Sequence, residues 1–61
     1  GDKIEKNVNT LNGQEITIRL SNDTLIVVTQ EIDKNVGPLR AGDKVRVLTS
    51  SNGTTRVQLN Q

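Results

Sequence analysis

The nearest approach to acid–base equipment in this chain is two pairs of carboxylates, Glu31 with Asp33 and Asp2 with Glu5. A carboxylate becomes a general acid or base when burial or a close charge moves its pKa. Both pairs sit in polar stretches that offer neither, so they read as solvated surface charge. Asp33-Lys34-Asn35-Val36-Gly37 has the look of an acidic calcium loop. It lacks the regular alternation of oxygen ligands and the closing bidentate Glu that calcium requires. Serines and threonines are frequent, yet there is no histidine and no cysteine. The commonest general base, the commonest transition-metal ligand, thiolate ligands and disulfides are thereby removed. A Ser–Lys pair stays open as a nucleophile–base arrangement. No glycine-rich phosphate loop occurs. The chain reads as a non-enzyme without metal or cofactor.

The cations are the remaining candidates. Arg19, Lys44, Arg46 and Arg56 fall on the outward faces of three expected strands and form a possible polar contact surface. Small barrels that bind nucleic acid add aromatic platforms on which bases stack, and this chain has no Phe, Tyr or Trp. Eight basic residues against seven acidic ones give a net charge of +1, which supplies little counterion-driven affinity. Nucleic acid is therefore not the expected partner. The same lack of aromatics speaks against a peptide-binding SH3 groove. Alternating basic residues on strands more often keep a sheet face soluble.

These side chains need elements to position them, and the hydrophobic period supplies them from residue 13 onward. Ile16, Ile18 and Leu20 alternate with Glu15, Thr17 and Arg19, the pattern of a strand with one buried face. Strands are expected near residues 14–20, 25–30, 44–49 and 54–59. Ser21-Asn22-Asp23-Thr24 joins the first two. Ser50-Ser51-Asn52-Gly53 joins the last two, where Asn-Gly suits a type I′ turn. The four apolar residues Leu25–Val28 suggest a strand covered on both sides at its start. Residues 31–43 form the long connection, and Val36 and Leu39 are expected to plug one end of the fold.

Two hairpins this short leave an aliphatic face wet unless they curl together. The expected fold is all-β: a small four- to five-stranded SH3-like barrel or sandwich spanning residues 13–61. Its expected core is Ile16, Ile18, Leu20, Val27, Val45, Val47 and Val57, with Leu59 also inward and Leu48 outward. Residues 1–12 read as a linker, either the end of a preceding helix, from the spacing of Ile4 and Val8, or a frayed terminus. A chain of 61 residues holds one domain with a small core. It starts at Gly1 and has no methionine, so a fragment of a longer protein is expected. Its longest apolar run, Leu25–Val28, is far short of a span, so the piece is expected to be soluble. Nearly every periodic Val, Ile and Leu is needed inside, so it is expected to be monomeric or weakly associating.

Four segments, taken in order, resemble a known family. They are Gly13-Gln14-Glu15-Ile16-Thr17-Ile18-Arg19-Leu20, Val27-Val28-Thr29-Gln30-Glu31, Gly42-Asp43-Lys44-Val45-Arg46-Val47-Leu48 and Asn52-Gly53-Thr54-Thr55-Arg56-Val57. Together they are similar to the C-terminal periplasmic domain of SlyB/Pcp-type outer-membrane lipoproteins. These glycine-zipper proteins are relatives of the 17-kilodalton surface antigens, and the similarity covers about residues 13–57. The resemblance implies a Gram-negative envelope protein on the periplasmic side of the outer membrane. It implies a lipid anchor and membrane helices upstream of this fragment. Through those helices the parent would meet other outer-membrane proteins or lipids, assemble as a homo-oligomer and support envelope integrity. The lipidated cysteine and glycine zipper of the family are not in this sequence, and Asn22-Asp23 stands where the family tends to have an Asn-Gly-like turn. The alternative is a generic small-barrel binding module for nucleic acid or another polyanion.

Overall fold

The computed structural model describes residues 2–60, which form five antiparallel strands in one curled sheet. The strands are β1 (Asp2–Thr10), β2 (Gly13–Arg19), β3 (Leu25–Gln30), β4 (Lys44–Thr49) and β5 (Thr55–Leu59). Their order across the sheet is β3-β2-β1-β4-β5, so the first strand is the central one. β3 and β5 are the outer strands, and the curl brings them against each other, giving a small, partly open barrel.

The described part of the N-terminal segment corrects the expectation of a linker, helix end or frayed terminus. It forms a nine-residue strand with neighbours on both sides: β2 along its length and β4 at Asp2 and Lys3. Ile4 is 1% exposed, at the centre of the core. Its spacing from Val8 is helix-like by coincidence, because β1 carries a bulge. Ile4 opposes Ile18 while Lys6 opposes Thr17, so Glu5 is an extra residue. The bulge switches the parity of the strand, and Val8 ends on the outer face, 43% exposed. Tertiary pairing overrides the local spacing here.

Every strand and the long connection contribute to the interior. The core is Ile4, Ile16, Ile18, Val28, Leu39, Val45 and Val57, with Leu20, Ile26, Val47 and Leu59 packed against it. One expected core residue and one of the two expected plugs lie outside it. Val27 is 61% exposed because it pairs with outward Thr17, whereas Val28 pairs with buried Ile16. Four apolar residues in a row fit either parity, and β2 chooses between them. Val36 is likewise exposed, and Leu39 alone closes that end of the barrel.

The two hairpin loops are built alike. In each, the fourth residue donates its N–H to the carbonyl of the first: Asp23 to Leu20 at 2.9 Å and Gly53 to Ser50 at 3.0 Å. Those fourth residues have φ of +67° and +87°. Asn22 and Asn52 each accept the amide of the following threonine at 3.0 Å through Oδ1. These are three-residue loops with one left-handed residue, not the type I′ turn expected at Asn52-Gly53, since Asn52 keeps a negative φ.

The long connection ends in a turn at Arg40–Asp43, where Gly42 has φ +95° and Asp43 donates to the Arg40 carbonyl at 3.1 Å. Gly42 then donates to the Ile4 carbonyl at 2.8 Å, and the Ile4 amide donates to Asp43 at 3.0 Å. The loop thereby continues the pairing of β1 beyond the end of β4.

Candidate functional site

The end of the barrel closed by Leu39 is held by two glutamine side chains. Gln14 and Gln30 are opposite each other on β2 and β3. Gln14 is 2% exposed. Its Oε1 accepts the Leu39 amide at 3.0 Å, and its Nε2 donates to the Leu39 carbonyl. Gln30 does the same to β5: Oε1 accepts the Val57 amide at 2.8 Å, and Nε2 donates to the Val57 carbonyl at 2.9 Å. A primary amide carries donor and acceptor side by side, so it imitates one rung of a β-ladder. Gln14 pins the long connection, and Gln30 joins the two outer strands.

Residues 31–39 and β5 enclose a groove of about 520 Å³ beside these clamps. Its lining mixes Val36 and Leu59 with Glu31, Asp33 and Arg56, and it includes both glutamines. The amides are already engaged with the backbone. Among the described residues, no three His, Cys, Asp or Glu side chains gather to hold a metal ion.

Of the expected contact residues, Lys44, Arg46 and Arg56 share the outward face of the β4–β5 hairpin. Arg46 opposes Gln58, and Leu48 opposes Arg56. Arg19 is on β2, two strands away, and is committed to an acidic neighbour. Its Nε lies 2.5 Å from Glu5 Oε1, and its Nη1 lies 3.8 Å from Asp23 Oδ1. The hydrogen bond to Glu5, then the charge of Glu5, raises the Arg19 pKa above its ordinary value, so its charge is fixed. Glu5, the extra residue of the β1 bulge, is the acid that makes this contact.

Lys3 completes the arrangement. It opposes Arg19 on one side and Lys44 on the other, giving a row Arg19–Lys3–Lys44 across β2, β1 and β4. Lys3 lies in the segment expected as a linker, where no outward strand face was expected. The alternation within β1 was the signal available, and the bulge breaks it.

The last surface feature is the free edge of β3. Residues of an antiparallel strand alternate between pairs that exchange hydrogen bonds and pairs that do not. Leu20 donates to Thr24 at 2.8 Å, so the pair that closes this hairpin is a bonded one. Ile26, Val28 and Gln30 therefore turn their backbone groups to β2. Leu25, Val27 and Thr29 turn theirs away from the sheet, and no described backbone group pairs with them. Their side chains are exposed too.

No family model, no curated protein and no solved structure matches this chain.

Proposed function

We propose that this chain is a non-catalytic contact domain of a Gram-negative outer-membrane lipoprotein, acting on the periplasmic side of that membrane. In this reading it supports envelope integrity through protein–protein contacts, while lipid attachment and most of the oligomer assembly belong to upstream segments of the parent. The observation that carries it is how the barrel uses its residues. Ile4, Ile16, Ile18 and Val45 are each at most 1% exposed, so the interior is filled by the chain's own aliphatic groups. What remains for a partner is surface: a free strand edge, a groove and a charged face. The four segments that resemble the lipoprotein domain lie in order on β2, β3, β4 and the β5 hairpin, which supports treating them as one unit. The test is fractionation of the full-length parent in its own host, with in-cell cross-linking through this domain. Recovery in the outer-membrane fraction with cross-linked envelope proteins is expected; recovery in the cytosol would overturn the reading.

The row Arg19–Lys3–Lys44, with Arg46 and Arg56 farther along, favours a second reading as a polyanion-binding module. Glu5 neutralises one end of that row, and the net charge of +1 supplies little long-range attraction. Titration with labelled single-stranded and duplex nucleic acid at low salt separates the two. The contact-domain reading expects no micromolar binding, whereas micromolar affinity with a steep salt dependence favours the second reading.

A further inference from the structure

We propose that the free edge of β3 accepts an extended cationic peptide as a sixth strand. This deepens the contact-domain reading by naming the surface and the chemistry of the partner. Three observations meet at this edge. The backbone groups of Leu25, Val27 and Thr29 point outward without partners among the described residues, which is the template that strand addition uses. Leu25 and Val27 are 53% and 61% exposed, so alternate apolar side chains stand ready to pack against alternate residues of an added strand. Acidic groups bracket the edge: Asp23 precedes it, and Glu31 and Asp33 follow it. The nearest cation on β2, Arg19, is held by Glu5 and also lies 3.8 Å from Asp23, whose side chain nevertheless stays 85% exposed.

That charge pattern selects the occupant. A second copy of β3, paired antiparallel about Val27, sets Asp23 opposite Glu31 at both ends, and like charges facing each other are unfavourable. A peptide with Lys or Arg at its ends meets an acid at each. Beyond Thr29 the edge is covered, because the Gln30 side chain holds β5 alongside at Val57. The docking segment is therefore Leu25 to Thr29.

The test is an NMR titration of the isotope-labelled chain with a capped synthetic nonapeptide, Lys-Thr-Val-Thr-Val-Thr-Val-Thr-Lys, and with its counterpart ending in Glu. Shift changes and slowed amide exchange are expected at Leu25, Val27 and Thr29, with binding of the Glu-ended peptide about tenfold weaker. Equal binding of both peptides, changes centred on β4–β5, or no change would overturn the proposal. So would concentration-dependent shifts along β3 without peptide, which would mean that a second copy is the occupant. Val27→Pro removes the central outward N–H while leaving the bonds to β2, and it is expected to abolish binding with a dispersed spectrum retained. Should that variant not fold, Asp23→Asn with Glu31→Gln decides. Its affinity for the Lys-ended peptide should fall to that for the Glu-ended one, and an unchanged affinity would overturn the proposal. Fractionation of the parent reads the envelope assignment separately, so either can fail without the other.

Discussion

The Gln30 side chain bonds both backbone groups of Val57, and this two-bond contact joins β3 to β5 where no strand ladder does. Its neighbour Gln14 makes the equivalent contact with Leu39 in a fully buried setting. The barrel is thus closed at one end by side-chain amides. That device fits the composition: with no aromatic residues to fill the gap, short polar rungs tie the outer strands together.

The two clamps should differ in cost. Gln14→Ala leaves a buried N–H and C=O of Leu39 unpaired and should destabilise by about 2–4 kcal/mol. Gln30→Ala opens a half-buried site that water can reach and should cost about 1–2 kcal/mol. Urea denaturation of the two variants measures this, and a larger loss for Gln30→Ala contradicts the assignment.

Gln30→Glu should make stability pH-dependent. The introduced carboxylate keeps the acceptor for the Val57 amide but turns a second oxygen towards the Val57 carbonyl, which raises the folded-state pKa above the ordinary value of about 4.3. For an acid with a raised folded pKa, stability is highest below the unfolded value and is lost as pH rises towards the folded one. Relative to the parent chain, the variant's urea midpoint should be higher near about pH 4 than near about pH 7.

Neighbouring apolar residues should respond very differently to truncation. Ile18→Ala removes a fully buried side chain and should cost about 2–5 kcal/mol. Val27→Ala, on the exposed face of β3, should change stability by about 0.5 kcal/mol or less. Comparable losses at the two sites would mean that the β2–β3 register is wrong.

The equivalence of the two hairpin loops predicts effects of opposite sign. Asp23→Gly relieves a left-handed non-glycine residue and should stabilise by roughly 0.5–1 kcal/mol, after a small loss of its contact with Arg19. Gly53→Asp should destabilise by a similar amount. Gly13→Ala should be the most damaging glycine change, because an added Cβ runs into the Gln30 carbonyl oxygen. Thermal melts of the three variants give the order directly.

We expect the isolated chain to sediment as a monomer at low micromolar concentration. Its periodic aliphatic residues are largely consumed by the core, and the β3 edge is flanked by like charges. A stable dimer or ring under those conditions would show that this domain itself drives assembly.

The residue types and their alternation determined the all-β class, the four strands from residue 14 onward and the two hairpin loops. They did so because a period of two with turn-forming residues between the runs has no helical solution. The burial of Ile16, Ile18, Val45 and Val57 followed from the same alternation. The rest depended on partners distant along the chain. Ile4 and Val8 read as helix-like until pairing with β2 placed a bulge between them, and Lys3 became part of a surface only through its neighbours Arg19 and Lys44. The run Leu25–Val28 left its parity undecided until β2 turned Val28 inward and Val27 outward. Gln14 and Gln30 look like ordinary polar strand residues because an amide shows nothing locally of the backbone it will bond. Leu39 and Val57, the groups they hold, are 25 and 27 residues away. Such long-range pairing is a property of the closed barrel, and only the tertiary structure decided it.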